Sequence, residues 1–224
     1  MQSGELWAVI GASRGGKSQF LFKHLAKASR LLVWDVADEY QTTYKARNRA
    51  QLAALLERFA GKRARISYIP DDIEDFDFFC RVARVWVDSQ AAAGQRSALV
   101  FEETADVTSP GKAPAQYGII LRRYLRYGVD IYAVTQRPAE SDKTALNNAG
   151  KVYVTQIQGE DDQRTVSRRT RVPMEVISSM VKDRDNGIFD WISVNTGTQK
   201  YQRGRLTFPN DRPKFAKTGA EVAI

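Results

Sequence analysis

The chain has 224 residues, 43% of them hydrophobic and 27% charged, a composition that fits one ordinary globular domain with a sizeable core. It carries 34 Lys and Arg against 26 Asp and Glu, a net charge of +8 that is either the footprint of a polyanion-binding protein or a plain solvated surface. One cysteine and one histidine exclude a disulfide framework and nearly all thiolate, zinc and Ser–His chemistry; short apolar runs and the absence of a signal-peptide pattern imply a soluble protein that stays in the cell making it.

Short β-branched or aromatic runs alternate with longer segments of helical period, the signature of an α/β fold with a mostly parallel sheet flanked by helices. The first run, Leu6–Ile10, leads into Gly11-Ala12-Ser13-Arg14-Gly15-Gly16-Lys17-Ser18, which fits G-x-x-x-x-G-K-[ST], and then into a helical stretch over Lys17–Ala28. Between a strand and a helix such a loop is a phosphate cradle. Its glycines let backbone N–H groups point inward, the helix N-terminus adds a positive dipole end, Lys17 reaches the outer phosphates and the Ser18 hydroxyl takes Mg2+. Gln19 closes the expected nucleotide-binding stretch.

The second strand, Leu31–Trp34, opens on Asp35-Val36-Ala37-Asp38-Glu39-Tyr40, where Asp35 and Tyr40 read equally well as turn and packing residues or as site residues. Basic clusters lie at Lys45, Arg47 and Arg49, at Lys62, Arg63 and Arg65, at Arg122, Arg123 and Arg126, and at Arg168, Arg169 and Arg171; the first two rank first for tracking a phosphate backbone. A helix over Ala50–Phe59, a strand over Ile66–Ile69 and a helix over Ile73–Ala93, with Cys80 as a core residue, lead to the apolar strand Ala98–Phe101. That strand ends in Glu102 and Glu103, at the edge where open α/β sheets bind ligands. Two acids there need a cation. Glu102 is assigned to Mg2+ through water and Glu103 to polarising the water that attacks a γ-phosphate, because transfer to water needs an oriented nucleophile as well as charge neutralisation. A helix over Tyr117–Tyr127 precedes the strand Asp130–Val134, which runs into Thr135-Gln136-Arg137-Pro138. A strand over Val152–Thr155 and a helix over Asp161–Arg169 follow. Ile188–Val194 and Lys200–Leu206 flank a turn-like Asn195-Thr196-Gly197-Thr198 and predict a hairpin, with an irregular tail around Pro209 and Pro213.

Together the phosphate loop, the paired glutamates and Thr-Gln-Arg-Pro resemble the FtsK/HerA superfamily of DNA-pumping ATPases, from about Leu6 to Thr170. The resemblance implies that Gln136 senses the γ-phosphate, which suits an amide that can donate to a phosphate oxygen and accept from the attacking water at once. Two weaker likenesses are the Asp35 to Tyr40 turn and Asp161-Asp162-Gln163-Arg164-Thr165, a segment where the family often has an arginine. Arg164 is thereby the first candidate for an arginine finger acting between subunits, ahead of Arg126 and Arg122; a surface arginine paired with Asp161 or Asp162 reads equally well. Glu102 stands where many members have Asp.

The resemblance further implies a RecA-like core of the additional-strand, catalytic-glutamate type, with the acidic strand between the phosphate-loop strand and the second strand. The ATPase domain would span residues 1–224, its core about 5–194 and the hairpin and tail about 195–224. ATP and Mg2+ are the implied cofactors. A motor core of this size resembles the packaging ATPases of tailless icosahedral viruses with an internal membrane, the tectivirus type. The expected activity is ATP hydrolysis coupled to pumping double-stranded DNA into a preformed capsid. The expected assembly is a homo-oligomeric ring, a hexamer being the size considered. It would meet capsid, vertex or membrane proteins without spanning a bilayer, in the host cytoplasm or at a virion's packaging vertex. Three other readings stay open: a secretion, virion-assembly or conjugation ATPase of the same superfamily, a small-molecule kinase, and a nucleotide-gated assembly protein that does not pump.

Overall fold

The computed structural model describes residues 2–224. In chain order its elements are β1 (Leu6–Ile10), α1 (Lys17–Leu25), β2 (Arg30–Trp34), β3 (Tyr44–Ala46), α2 (Arg49–Arg58), β4 (Ala64–Tyr68), α3 (Phe76–Ala92), β5 (Ser97–Phe101), α4 (Thr104–Val107) and α5 (Ala115–Arg123). They continue as β6 (Val129–Thr135), α6 (Lys143–Asn148), β7 (Lys151–Thr155), α7 (Glu160–Thr170), α8 (Met174–Ser178), β8 (Lys182–Asp183), β9 (Ile188–Asn195), β10 (Lys200–Thr207), β11 (Lys214–Lys217) and β12 (Val222–Ala223). Every strand and helix expected from periodicity is present within a few residues, and two of the expected helices take in a separate 3-10 turn, Ile73–Asp75 before α3 and Leu125–Tyr127 after α5.

The strands form one sheet in the order β11-β10-β9-β7-β1-β6-β5-β2-β4-β3, with β12 on β10 and β8 on β9. From β7 to β3 all pairings are parallel. The acidic strand β5 does lie between β1 and β2, but not against β1. The strand leading to Gln136, β6, is inserted, paired Leu6↔Ile131 to Ile10↔Thr135 on one side and Ser97↔Val129 to Phe101↔Ala133 on the other. Parallel registers bring the ends of β1, β6 and β5 to one edge, where their following loops must meet.

Alternation along the strands divides the core between two faces. Leu6, Ala8, Ile10, Leu32 and Trp34 face one way, where α2, α3 and α5 to α8 pack; Val9, Leu31 and Val33 face the other, covered by α1 through Phe20, Leu21 and Leu25. On the crowded face, Phe101 at the end of β5 lies 4.9 Å from the Tyr117 ring and 5.8 Å from Phe79, which anchors the strand that delivers the two glutamates. Cys80 is buried there, and burial pushes its thiol up, so the core reading holds. Helix ends follow local chemistry: Asn48 accepts from Gln51 N at 2.9 Å to start α2, and α7 opens on Glu160, Asp161 and Asp162 and closes on Arg168 and Arg169, matching its dipole.

The hairpin forms as β9 and β10, paired from Lys200↔Asn195 to Thr207↔Ile188. The tail is not irregular as expected. β11 pairs antiparallel with β10 from Gly204↔Lys217 to Thr207↔Lys214, and β12 adds Lys200↔Ala223 and Tyr201↔Val222. An edge strand offers a row of unpaired backbone groups, and the tail satisfies it. The two prolines stay outside the ladder, Pro209 in a 3-10 turn and Pro213 just before β11.

Candidate active site

Residues 11–16 join the end of β1 to the start of α1. Gly16, the N-cap, sits at φ 96°, a conformation that favours glycine. Gly11, itself at φ 152°, and Gly15 are fixed by a neighbour as well: a Cβ at Gly11 would lie 1.8 Å from Thr155 Oγ1, and one at Gly15 2.8 Å from the same atom. Thr155 ends β7, and Ala12 N donates to Gln156 O at 2.8 Å, so the strand beside β1 braces the loop. Arg14 is exposed at φ 53°, uncommon for a residue with a side chain. Lys17 folds back over its own loop, donating from Nζ to Gly11 O at 2.8 Å and Ala12 O at 3.1 Å. It is buried, and burial pushes its pKa down, opposed by Glu102, Glu103 and Glu39. Lys182, on β8, donates to Ser13 O at 2.7 Å from the far side of the loop.

Facing the loop is a cleft of about 450 Å³ lined by Ser13, Arg14, Lys17, Ser18, Asp35, Glu39, Glu102, Glu103, Asp106 and Gln136, among others. Glu102 N donates to Trp34 O at 3.1 Å, prolonging the β5–β2 ladder by one residue, while its carboxylate accepts from the Tyr40 hydroxyl. Enclosure pushes the Glu102 carboxyl up to about 7; Tyr40 and Lys17 oppose the shift, and Glu39 and Glu103 reinforce it. Burial and Glu102 raise the Tyr40 hydroxyl, which keeps it a donor. Glu103 leaves the strand at φ 42°, ψ 61°, a left-handed conformation of the kind that concentrates at functional sites. Its Oε1 accepts from Gln136 N at 3.1 Å and from Thr135 Oγ1 at 3.3 Å, tying the ends of β5 and β6 together.

The two readings of the Asp35 turn resolve residue by residue. Asp35 is fully buried and accepts from Glu39 N at 2.9 Å and Tyr40 N at 3.2 Å, so it shapes the turn. The turn then sets Glu39 against Ser18, whose Oγ donates to Glu39 Oε2 at 3.1 Å, and sets Tyr40 on Glu102. Glu39 and Lys182 are contacts that sequence reasoning missed. The first had a signal, an acid in a turn after a strand adjacent to the acidic one; the second had none, because 169 residues separate Lys182 from Ser13.

The oxygen set fits a hard cation. Among the described residues no three His, Cys, Asp or Glu side chains converge as a ready-made cage. Mg2+ characteristically binds one or two carboxylates together with substrate phosphates and waters, and Ser18, Glu39 and Glu102 line one cleft with the phosphate loop.

Arg164 is not brought into this cleft. It is exposed on α7 and paired with Glu160 at 2.5 Å, rather than with Asp161 or Asp162. Asp162 instead accepts from Ala139 N at 2.8 Å, linking α7 to the Thr-Gln-Arg-Pro turn. Arg126 precedes β6 while Gln136 follows it, a whole strand away, and lies over Tyr127 at 4.9 Å. Of the basic clusters, Lys45 and Arg47 are held by Asp38, and Arg65 donates to Leu25 O and Ala28 O, whereas Lys62 and Arg63 are exposed.

A sheet ordered β7-β1-β6-β5-β2, with a phosphate loop after β1 and acids after β5, is the arrangement of the RecA-like P-loop NTPase fold, and this chain has that fold. No protein-family model matches it. It is 28% identical over 203 residues to Protein P9 of Pseudoalteromonas phage PM2, covering 89% of each. The genome packaging NTPase B204 of Sulfolobus turreted icosahedral virus 2, solved with AMPPCP, superposes with a TM-score of 0.67 at 14% identity, over 96% of this chain and 98% of that one. B204, the DNA-packaging ATPase from Sulfolobus Turreted Icosahedral Virus, gives 0.59 at 14% identity over 98% and 100%. The expected likeness to FtsK/HerA-type viral packaging ATPases holds, and with these two structures it is a likeness of fold.

Proposed function

We propose that the chain is the ATP-hydrolysing motor that drives double-stranded DNA into a viral capsid, residues 1–224 working as one ATPase domain in a homo-oligomeric ring. What carries the reading is end-to-end coverage: a packaging NTPase matches 96% of this chain, and the chain matches 98% of it, so the likeness extends beyond the nucleotide core.

In this reading Lys17 and the loop N–H groups hold the β- and γ-phosphates. Ser18 and Glu102 would hold Mg2+, which when bound would neutralise charge on the phosphates. Glu103, positioned by Gln136 N and Thr135 Oγ1, accepts the proton of a water whose oxygen bonds to the γ-phosphorus as the bond to the bridging oxygen breaks, leaving ADP and phosphate. The Gln136 amide senses the γ-phosphate. Arg164 of a neighbouring subunit supplies positive charge to the transition state, which its exposed position allows. Exposed basic residues such as Lys62 and Arg63 track DNA phosphates without reading sequence. The ring works in the host cytoplasm or at a packaging vertex, against capsid or membrane proteins.

The test is ATP turnover with and without duplex DNA across a salt series. Turnover stimulated by DNA, with the stimulation fading steeply as salt rises, is the expected result. ATP hydrolysis indifferent to DNA at every ionic strength would replace the motor with a nucleotide-gated assembly protein.

A further inference from the structure

The phosphate loop has a second cleft on its other side, of about 210 Å³. Arg14 to Gln19 form one wall, and Phe189 and Phe208 form the other. Both phenylalanines are half-buried, with ring centroids 5.7 Å apart and planes at 88°, a corner that presents one ring face and one ring edge. They reach the loop through the hairpin. Phe189 and Leu206 are register partners on β9 and β10, Phe208 follows β10, and a Cβ at Gly16 would lie 3.0 Å from Leu206 Cδ2 and 3.8 Å from Phe189 Cβ. Gly16 is therefore glycine for two reasons, its φ and the hairpin pressed against it.

The two clefts share Arg14, Lys17 and Ser18. A triphosphate lying along that shared stretch has its reacting end at Glu103 and Gln136, so its other end, bearing ribose and base, emerges at Gln19 and the phenylalanines. The charged and polar side chains of this second cleft all lie on the loop wall, Gln19 alone among them at the base's end. The aromatic wall has a face for any base and no group that reads a base edge.

We propose that Phe189 and Phe208 form the nucleobase subsite, holding the base by aromatic contact rather than by edge hydrogen bonds, so that the chain takes nucleoside triphosphates with little selection among bases. This rests on the reading that a triphosphate binds at the phosphate loop, though not on its hydrolysis.

The test is calorimetric Kd for ATP, GTP, CTP and inorganic tripolyphosphate on the full chain and on Phe189→Ala and Phe208→Ala. The wild type should bind ATP and GTP within about tenfold of each other and CTP more weakly, as its smaller ring stacks less. Each alanine variant should weaken ATP by about tenfold and leave tripolyphosphate unchanged. Phe189→Leu and Phe208→Leu keep apolar volume without an aromatic face, and the same selective loss is expected should an alanine variant fail to fold. ATP affinity unchanged in folded variants of either kind overturns the proposal, as does an equal loss for ATP and tripolyphosphate, which would mean that the rings only brace the loop. Wild-type preference for ATP over GTP beyond about a hundredfold overturns the lack of selection. Wild-type protein that binds every triphosphate and hydrolyses none would sink the motor reading while leaving this subsite standing.

Discussion

The phosphate loop stands between two walls of different make. Glu102, Glu103 and Gln136 continue β5 and β6, parallel strands at the centre of the sheet, each laddered on both sides. Phe189 and Phe208 come from an antiparallel hairpin between β7 and the added tail strands, and touch the loop through a glycine and a leucine. The first wall cannot shift without the core shifting; the second is carried nearer the sheet's edge. Water activation fails with small misplacements, whereas aromatic contact is broad in geometry, so the proposed roles put directional chemistry on the rigid wall and non-directional binding on the adaptable one.

Breaking what the walls share has the largest expected effect. Lys17→Ala should abolish detectable ATP binding by calorimetry, because the buried ammonium serves the phosphates whichever wall holds the rest; ATP affinity within a few-fold of wild type would refute the phosphate site itself. Next comes the charge proposed to come from a neighbouring subunit. Arg164→Ala should cut turnover by about a thousandfold with ATP affinity kept. Mixing it with Glu103→Gln protein should recover part of the turnover, since some interfaces then join an intact Glu103 to an intact Arg164. No recovery at any ratio, with both proteins folded and exchanging subunits, rejects Arg164 as a finger acting between subunits. Glu103→Gln alone sharpens the contrast between walls: turnover should fall by about a hundredfold or more with ATP Kd unchanged, the reverse of the split expected for the phenylalanines. Unchanged turnover would remove Glu103 from the chemistry.

The same contrast explains what could be read in the sequence. Central parallel strands are near-continuous apolar runs, so Leu6–Ile10, Ala98–Phe101 and the run into Gln136 were legible, and with them the loop, Glu102 and Glu103 that their ends carry. The insertion of β6 beside β1 was not, because pairing order is a long-range property with no local periodicity. The short elements β3, α4 and β8 lack enough residues to show a period. The tail strands escaped because Pro209 and Pro213 mark irregular chain locally, while what orders Lys214–Lys217 is the open edge of β10. Nothing in the sequence singles out Phe189 and Phe208, since nothing local says that a hairpin will fold onto residue 16. Arg164 was read with the wrong acids: Asp161 is its helix neighbour at three residues, but Glu160 at four is the partner that forms.

The smallest effect tests the electrostatics of the rigid wall. Glu102, pushed up to about 7 by its enclosure, holds its proton more tightly in the folded chain than in the unfolded one. Between its ordinary value near 4.5 and about 7 the folded state therefore binds more protons, and this one group makes stability fall as pH rises, by at most about 1.4 kcal/mol per pH unit. Asp35, raised chiefly by burial, acts with the same sign from a lower starting value. Lys17, lowered by burial, acts with the opposite sign, adding stability as pH rises toward 10.5. The difference between wild type and Glu102→Gln isolates the glutamate: in nucleotide-free protein, Tm should decline from pH 5 to pH 7 more steeply in the wild type than in the variant. Mg2+ with a non-hydrolysable ATP analogue should flatten the wild-type decline, because a cation beside Glu102 favours its charged form. Parallel Tm profiles for wild type and variant, without ligand, would mean that the Glu102 carboxylate is already ionised in the folded chain and that its enclosure does not hold a proton in place.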